Sequence, residues 1–427
     1  MKKKYSEIPV FLGLTHIGQI YSISWVKSIG QCAVFDFDKK NLNNFKKRKL
    51  TNEERNLSDL QYNSKKIFFY KNLNEIKNHK FIFLTYDTPI NNVGYPDIKY
   101  IEEKLKKVLS VKFEKKTFII ITSQVYPGFT DYIKTKYLKN NKMVNLVYMV
   151  DTLKMGNAVE RFLKPEQMIF GIEKSHEKEI NNFFQNFKCK KFMKSFKEAE
   201  LLKISINLYL YFSVNFANVI NNFSKQLDIN YLNIIENLKR DKRIGFNSYI
   251  YPSPGISGGH LERDVFFLKK KNKNLTIKKI FFNFNQFNNS RKNELKNTII
   301  NLKKKNIRLL IIGISYKENS FSLINSIFQK IFDSKKIKTS YYDSYFNVKL
   351  NNLSLKRVVK LKDELIKSDL ILLNYCNKKD FTLIKKEFLE LYSNKYLINI
   401  SNYYTAMLKE YKNVFNFYLD NINKYDK

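Results

Sequence analysis

The sequence predicts an α/β protein in which two domains with parallel sheets are joined by a central helical domain. Short apolar runs alternate with helical segments over about the first 150 residues and again after about residue 306. This alternation is typical of β-α-β units, whose strands pair in a parallel sheet. A long helical segment that is apolar on most sides lies between the two sets. With 427 residues, 44% of them hydrophobic, the chain can form two or three separate cores.

The first predicted domain, residues 1–198, begins with runs rich in β-branched and aromatic residues. Polar segments separate these runs, and one of them, residues 98–113, has the apolar spacing of an amphipathic helix. We therefore expect a Rossmann-like domain with a parallel sheet. The expected strands lie within 8–14, 31–38, 80–87, 116–123 and 144–150.

The first strand leads into a glycine turn of the kind that binds dinucleotides. Gly13 and Gly18 flank the turn, and Asp36 ends the next strand about twenty residues later. In such units the glycines permit a tight turn, the pyrophosphate lies at the helix N-terminus, and the acid binds the ribose 2′-hydroxyl, so Asp36 favours NAD over NADP. Thr15 replaces the central glycine, and its Cβ would move the phosphates outward or require a bridging water. A domain that keeps the fold without a nucleotide is the alternative.

The predicted central domain, residues 199–305, combines a long apolar helix with a glycine-rich turn. The run 199–227 contains neither Gly nor Pro and is apolar nearly all round, so we expect it to be buried between domains and against a second subunit of a homodimer. The turn 254–264, PGISGGHLERD, brings Gly255, Gly258 and Gly259 close together. Such a turn indicates a backbone that bends sharply or approaches a ligand.

The third predicted domain, residues 306–427, repeats the alternation of strands and helices on a smaller scale. A second Rossmann-like domain is the expected structure. Its strands are expected within 307–316, 338–345, 369–375 and 396–402.

The formal net charge of +38 suggests a nucleic-acid or membrane-surface partner, but its distribution argues against both. Lysines are spread along the whole chain together with abundant Asn, Ile, Phe and Tyr, as in a compositional drift toward A/T-rich codons. Nucleic-acid binding therefore ranks last among the functions considered. The charge would still attract an anionic substrate.

Cysteine spacing and hydropathy exclude several other classes. Cys32, Cys189 and Cys376 lie far apart without metal-ligand spacing, so we expect three buried core thiols, no disulfide framework and no metal site. No apolar run is long enough to span a membrane, and the short basic start leads directly into a strand-like segment without a small-residue cleavage site. A cytoplasmic protein is the expectation.

Seven motifs follow one another in an order that resembles one enzyme family. GLTHIG with FDFD is similar to an NAD fingerprint, YDTP to a Val-Pro-Thr-Pro turn, and TSQVYPGFT to a Ser-Thr-Val-Pro-Pro-Gly-Thr loop. VDTLKMGNAVERFLKPEQMIFG resembles a segment that opens with Pro-Glu, and AELLKISINLYL an Ala-Glu-x-x-Lys-x-x-x-Asn helix. RIGFNSYIYPSPGISGGHLERD and IIGISYKENSFSLINS resemble a catalytic loop and the start of a C-terminal nucleotide domain. The chain thus resembles the UDP-glucose/GDP-mannose dehydrogenase family over nearly its full length.

The resemblance implies an NAD-dependent oxidation of a UDP- or GDP-sugar for surface polysaccharide synthesis. Such enzymes convert the 6-hydroxymethyl group to a carboxylate by two hydride transfers to two NAD molecules. A cysteine traps the intermediate aldehyde as a thiohemiacetal, because an aldehyde must become tetrahedral and electron-rich before it can release a second hydride.

The resemblance also assigns roles to individual residues. Lys203 and Asn207, one helical turn apart, would bind the developing oxyanion and a water, although a snorkelling lysine and a buried structural asparagine are the alternative. Asp264 would activate water, His260 falls at the nucleophile position, and Asp151 replaces a glutamate. The implied cofactor-binding residues are Gly13, Thr15, Ile17, Gly18, Asp36, Thr88, Pro89 and Ser123. The implied substrate-binding residues are Asn218, Arg243, Gly255, Gly258 and Lys317.

The chain departs from the family pattern at the groups that carry its chemistry. Aligned on Asp264, the nucleophilic cysteine is replaced by His260, and a shift of one residue places Leu261 there instead. Ser322 and Ile324 replace a charged pair of the C-terminal domain, while Ser401 replaces an arginine. Two hypotheses result: an NAD-dependent dehydrogenase whose activity is impaired, or an inactive homologue that binds NAD or a sugar nucleotide as a regulatory or scaffold subunit.

Overall fold

The protein, described as a computed structural model, forms two compact units, Met1–Ile206 and Asn207–Lys427. Predicted boundaries after residues 198 and 305 would instead give three domains, and this division stays a prediction. The structure describes residues 7–51, 54, 57, 59–90, 95–302, 307–318, 320–323, 326–332, 337–347, 350 and 355–420.

The first unit contains an eight-stranded sheet with the strand order β3-β2-β1-β4-β5-β6-β7-β8. All neighbouring strands are parallel except β6 and β7, which are antiparallel. The strands are β1 (Val10–Leu12), β2 (Cys32–Phe35), β3 (Ile67–Phe69), β4 (Phe81–Leu84), β5 (Thr117–Ile121), β6 (Val144–Met149), β7 (Gln167–Gly171) and β8 (Lys190–Lys194).

Helices cover both faces of this sheet, because side chains alternate along each strand. Phe11 of β1 packs in one apolar cluster with Ile20, whereas Leu12 packs in a second cluster with Leu105 on the opposite face. Both clusters are buried, as expected for a parallel sheet with two covered faces. The helices of this unit are α1 (His16–Ser28), α2 (Lys39–Lys46), α3 (Ile98–Leu109), α4 (Phe129–Tyr137), α5 (Ala158–Leu163) and α6 (Glu177–Phe183).

The predicted long central helix is α7 (Phe196–Gln226), which contains the residue at which the two units divide. Large apolar side chains of this segment are exposed in the isolated chain, so its own chain does not bury it on all sides. They are Leu201, Tyr209, Phe216, Val219 and Phe223, and Leu227 directly after the helix is exposed as well. Within the described residues, none of the helices combines the length and the apolar character that crossing a membrane requires.

The second unit contains a six-stranded parallel sheet with the order β11-β10-β9-β12-β13-β14. Its six positions repeat the order of the first six positions of the first sheet, as in a doubly wound fold. The strands are β9 (Ile307–Ile312), β10 (Ile337–Tyr342), β11 (Lys356–Arg357), β12 (Leu370–Leu373), β13 (Tyr396–Asn399) and β14 (Val414–Asn416). The helices are α8 (Leu232–Arg240), α9 (His260–Lys271), α10 (Leu275–Leu302), α11 (Gln329–Phe332), α12 (Leu361–Lys367) and α13 (Lys378–Ile384).

The predicted fold class, two Rossmann-like α/β parts with a helical central region, is confirmed by these two sheets. The first sheet differs from the prediction in its antiparallel β6–β7 pair. Several edge strands were not expected, since they are short or polar: β8 has the sequence KKFMK and β11 has two residues. Such segments form strands only because a neighbouring strand offers unpaired backbone groups.

The close packing of α1 on the turn after β1 can be tested at Gly18. A Cβ at Gly18 would lie 1.7 Å from the carbonyl oxygen of Gly13, so we expect Gly18→Ala to lower the free energy of unfolding by about 1–3 kcal/mol or more. The measurement is a urea unfolding curve. Gly30→Ala is the matched control, since a Cβ there meets no described heavy atom within 4 Å. Equal stability of the two variants would contradict this packing.

Candidate functional site

The glycine turn after β1 is held in a conformation that only glycine adopts easily. Gly13 has φ +103°, and a Cβ there would lie 2.7 Å from Cγ of Tyr86. Gly18 packs against the Gly13 carbonyl, which brings the start of α1 against the turn. Thr15 precedes α1, and Ile17 lies in its first turn. The turn and helix start therefore have the form predicted for a dinucleotide site.

The hydroxyl of Thr15 forms hydrogen bonds with the loop after β4. The Oγ1 atom donates to the carbonyl of Thr85 at 3.2 Å and accepts from the amide of Asp87 at 3.0 Å. Among the described residues, this hydroxyl does not cap α1. The side chain expected to displace the pyrophosphate is thus anchored to a neighbouring loop, and the first amides of α1 are not satisfied by it.

Asp36 lies at the end of β2, as predicted, and is only 3% exposed. Its carboxylate accepts hydrogen bonds from the amide of Leu14 at 2.7 Å, the amide of Asp38 at 2.8 Å and the hydroxyl of Tyr86 at 3.1 Å. The tyrosine hydroxyl in turn accepts from the amide of Phe37 at 3.1 Å. The acid that would bind a ribose is therefore engaged by its own chain.

The loops after β4 and β5 are joined by two side chains of the predicted cofactor site. Thr88 donates to the carbonyl of Gln124 at 2.6 Å, and Ser123 donates to the carbonyl of Tyr86 at 2.6 Å. Pro89 is exposed and its carbonyl accepts from the amide of Asp97 at 2.8 Å. These bonds fix the edge of the sheet beside the glycine turn.

Two residues of this region were not predicted as site residues from the sequence. Both amide atoms of Gln124, a residue 4% exposed, lack a hydrogen-bond partner among the described residues. A buried amide without partners is destabilising, so this side chain is suited to a polar ligand. Glu200, fully buried, accepts from the amides of Gly128 and Thr130 at 2.5 and 2.8 Å and so fixes the loop after β5. No composition or periodicity signal distinguishes either residue.

The residues at this edge fit a bound dinucleotide. The glycine turn has no room for a Cβ at Gly13 or Gly18, α1 begins directly after the turn, and among the described residues both amide atoms of Gln124 lack a hydrogen-bond partner. The turn and the start of α1 would hold the pyrophosphate, and Asp36 the adenosine ribose.

Lys203 and Asp151 form a polar pair in the first unit. The Lys203 ammonium donates to the backbone carbonyl of Asp151 and lies 3.9 Å from its Oδ2 atom. The hydroxyl of Tyr21 donates to Oδ1 of Asp151 at 3.2 Å. Burial and the adjacent Asp151 carboxylate raise the pKa of Tyr21, which keeps this hydroxyl protonated. The structure thus brings two predicted catalytic residues together.

Asn207 and Asp264 form a second pair, within the second unit. The Asn207 amide donates to Oδ2 of Asp264 at 2.5 Å, and Nε of Arg263 lies 3.4 Å from Oδ1. Asp264 is completely buried. A buried carboxylate needs such partners, because burial without hydrogen bonds disfavours the ionised form.

The glycine-rich turn precedes α9 in left-handed backbone conformations. Gly255, Gly258 and Gly259 have φ values of +136°, +92° and +75°, and α9 begins at His260. A Cβ at Gly255 would lie 2.7 Å from Cγ of Lys292. The predicted tight bend is therefore present, and a side chain at Gly255 would clash with the residue packed above it.

Other predicted substrate residues surround this turn. The Asn218 side chain accepts from the amide of Ser253 at 2.7 Å, which leaves its carbonyl oxygen occupied by the loop itself. A Cβ at Gly258 would lie 3.8 Å from the ring of Tyr316, the neighbour of Lys317. The backbone carbonyl of Lys317 accepts from Ser315 at 2.8 Å. Asn218 thus contacts the segment before the turn, and Tyr316, the residue before Lys317, lies next to Gly258.

Unlike these residues, Arg243 extends its side chain into solvent. Its side chain is 90% exposed and binds Asp241 through Nε at 3.0 Å and Nη2 at 2.6 Å. Ser322 is buried and Ser401 half-buried, whereas Ile324 lies outside the described residues. The substrate role of Arg243 stays a prediction.

The three thiols lie outside the glycine-rich turn. Cys32 belongs to β2, Cys189 precedes β8, and Cys376 follows β12. Burial raises the pKa of Cys376 to about 12 and that of Cys32 further, which disfavours a thiolate. Cys189 is only partly buried, so the expectation of three buried thiols was wrong for this residue, which precedes an edge strand. His260, which the resemblance places at the nucleophile position, is half-buried, and its role stays a prediction.

Comparison with known proteins agrees with these observations. Residues 7–188 match the NAD-binding domain of the UDP-glucose/GDP-mannose dehydrogenase family, and residues 197–290 match its central domain. UDP-glucose 6-dehydrogenase of Rickettsia bellii is 24% identical over 356 residues, which cover 80% of this chain and 81% of that protein. The corresponding enzyme of Campylobacter jejuni is 29% identical over 255 residues, 57% of this chain and 59% of its own length.

Solved structures show the same fold. A UDP-glucose dehydrogenase from Pyrobaculum islandicum has a TM-score of 0.80 at 17% identity, covering 96% of this chain and 98% of its own. The UDP-N-acetyl-mannosamine dehydrogenase of Staphylococcus aureus has a TM-score of 0.74 at 18% identity, with 98% and 100% covered.

The matched NAD-binding domain contains the glycine turn and Asp36, which confirms NAD as the cofactor predicted from the sequence. Together the two matched regions span most of the chain in the order of the family's domains. The chain belongs to the UDP-glucose/GDP-mannose dehydrogenase family.

Proposed function

We propose that this protein oxidises the 6-hydroxymethyl group of a UDP- or GDP-sugar with NAD, in the synthesis of a surface polysaccharide. The observation that carries the proposal is the hydrogen bond of 2.5 Å between the half-buried Asn207 and the fully buried Asp264, beside the glycine-rich turn. A carboxylate at a site with no exposure is unfavourable for stability alone, so its retention favours a role in chemistry.

The side chains support distinct tasks in an alcohol oxidation. Lys203 presents an ammonium group that can stabilise an oxygen as its proton leaves, and Asn207 orients the Asp264 carboxylate. His260 begins α9 beside the glycines and offers an imidazole as the base for the alcohol proton. NAD, when bound, accepts the hydride from the sugar carbon.

The histidine changes the expected outcome of the reaction. One alcohol and one NAD⁺ give one aldehyde, one NADH and one proton, which the imidazole can accept. The second oxidation needs a tetrahedral adduct of the aldehyde, and an imidazole adduct is far less stable than a thiohemiacetal. The protein therefore releases the aldehyde or oxidises its hydrate slowly.

An inactive homologue that binds NAD or a sugar nucleotide is the second candidate. Ser322 and Ser401 stand where the family has charged residues, and the Arg243 guanidinium is paired with Asp241 in an exposed turn. Arginine binds diphosphate through a planar fork that serine cannot reproduce, so loss of these groups weakens productive substrate binding.

Assembly as a homodimer is part of the proposal. Tyr209, Phe216 and Phe223 repeat every seven residues along α7 and are 60%, 44% and 57% exposed in the isolated chain. Seven residues make two helical turns, so the three aromatic side chains form one stripe. A second copy of this chain, presenting the same stripe, would cover it.

The role of His260 predicts the stoichiometry of the reaction. Incubated with NAD and a panel of UDP- and GDP-sugars, the unmodified protein should form little more than one NADH per sugar consumed, while His260→Cys should approach two NADH per sugar. The measurement combines NADH absorbance with mass spectrometry of the sugar product. Complete oxidation to the acid by the unmodified protein, unchanged in His260→Ala, would contradict this role.

The stripe on α7 predicts the oligomeric state. The unmodified protein should be a dimer at micromolar concentration, and the double variant Phe216→Lys with Phe223→Lys should be a monomer because it places charges in the contact. Light scattering after size-exclusion chromatography measures the mass. Leu275→Lys is the matched control, since Leu275 is 70% exposed on α10, away from the stripe in sequence. A monodisperse monomer for the unmodified protein would refute the dimer.

A further inference from the structure

Tyr86 lies against the parts of the first unit that receive the adenosine half of a dinucleotide. Its ring faces Gly13, where a Cβ would lie 2.7–2.9 Å from three ring carbons. Its hydroxyl donates to Oδ1 of Asp36 at 3.1 Å and accepts from the amide of Phe37 at 3.1 Å. One side chain thus contacts both the glycine turn and the acid at the end of β2.

The position of Tyr86 in the sheet explains why these contacts matter. β1 pairs with β2 on one side and with β4 on the other, so the chain reverses its winding between β1 and β4. Ligands of doubly wound sheets bind in the crevice at this point, outside the carboxyl ends of the strands. Tyr86 follows β4 at this crevice, and its hydroxyl occupies an acceptor atom of the carboxylate that takes the adenosine ribose.

The second sheet contains the same arrangement. Gly313, with φ +82°, follows β9, and a Cβ there would lie 2.9 Å from Cγ of Tyr375, the second residue after β12. The hydroxyl of Tyr375 donates to Oδ2 of Asp343 at 2.6 Å, and the amide of Ile314 donates to the same oxygen at 3.1 Å. Glycine turn, aspartate and tyrosine therefore recur at equivalent places in both sheets.

Neighbouring groups hold Tyr86 in place. Its ring stacks with Phe37 at a centroid distance of 6.3 Å and meets Tyr100 edge-on at 5.9 Å. The ammonium of Lys104 lies 5.4 Å from the centre of the Tyr86 ring. Burial and the Asp36 carboxylate raise the pKa of Tyr86, so the phenol keeps the proton that it donates.

We propose that the Tyr86 side chain is a built-in occupant of the adenosine ribose subsite, which must turn out of the crevice before the adenosine half of NAD can bind to Asp36. The proposal rests on the NAD dependence of the proposed function and concerns the affinity of the site rather than the reaction. Each NAD bound requires the loss of the two hydrogen bonds of the Tyr86 hydroxyl, and this requirement lowers the apparent affinity.

Calorimetry of each protein with NAD, ADP-ribose and nicotinamide mononucleotide as separate ligands measures the three affinities. Tyr86→Phe removes the hydroxyl and keeps the ring, while Tyr86→Val also opens the space over Gly13. The Tyr86 hydroxyl donates a hydrogen bond to the charged Asp36 carboxylate, and in Tyr86→Phe this bond no longer has to be broken when the ligand binds. We therefore expect roughly tenfold tighter binding of NAD and ADP-ribose to Tyr86→Phe, and tighter binding still to Tyr86→Val. Nicotinamide mononucleotide, which lacks adenosine, should bind all three proteins equally.

Tyr375→Phe is the matched control, because it removes the equivalent hydroxyl from Asp343 in the second sheet. It should leave the affinities for NAD and ADP-ribose unchanged. Circular dichroism of each variant checks that the fold is kept, and Tyr86→Phe serves if Tyr86→Val does not fold. Unchanged or weaker binding of ADP-ribose to Tyr86→Phe, or an equal gain with Tyr375→Phe, would overturn the proposal. A failure of the proposed function appears separately, as absent NADH formation despite measurable NAD binding.

Discussion

In each sheet a carboxylate at the end of the second strand accepts a hydrogen bond from the backbone amide that follows a glycine turn. Leu14 donates to Asp36 in the first sheet, and Ile314 donates to Asp343 in the second. This bond ties the turn after the central strand to the neighbouring strand and so shapes the edge at which ligands of such sheets bind. Both aspartates are held by further backbone amides, Asp38 for the first and Tyr345 for the second.

In both sheets a tyrosine hydroxyl donates a hydrogen bond to this aspartate, so the two crevices share a glycine turn, an aspartate and a tyrosine. Tyr86 and Tyr375 place phenols on Asp36 and Asp343, and each ring packs on a glycine that could bear no side chain. Large aromatic residues are abundant in this chain, with 28 Tyr and 36 Phe. An aromatic side chain that enters a nucleotide crevice fills space and satisfies polar groups at once, so it stabilises the unliganded unit while opposing the ligand.

Two polar pairs carry the chemistry of the proposed function. Lys203 remains beside Asp151, and Asn207 beside Asp264, each in a setting where an unpaired charge would be unfavourable. His260 is positioned by glycines in left-handed conformations, which shape the loop independently of the residue that follows. If His260 stands in place of a nucleophilic cysteine, as we propose, the exchange would alter the reaction without altering the shape of the loop.

Local patterns in the sequence were sufficient for the central strands, the long helix α7, and the places of Gly13, Gly18 and Asp36, because strand periodicity and glycine turns are properties of short segments. The polar β8 and the short β11 were not predictable, since such edge strands form only where a neighbour offers backbone groups. The hydrogen bonds of the Thr15 hydroxyl, and the lack of partners for the Gln124 amide among the described residues, likewise depend on loops from other strands. Tyr86 lies fifty residues from Asp36 in the chain, and only the pairing of β1 with both β2 and β4 brings its phenol onto that carboxylate.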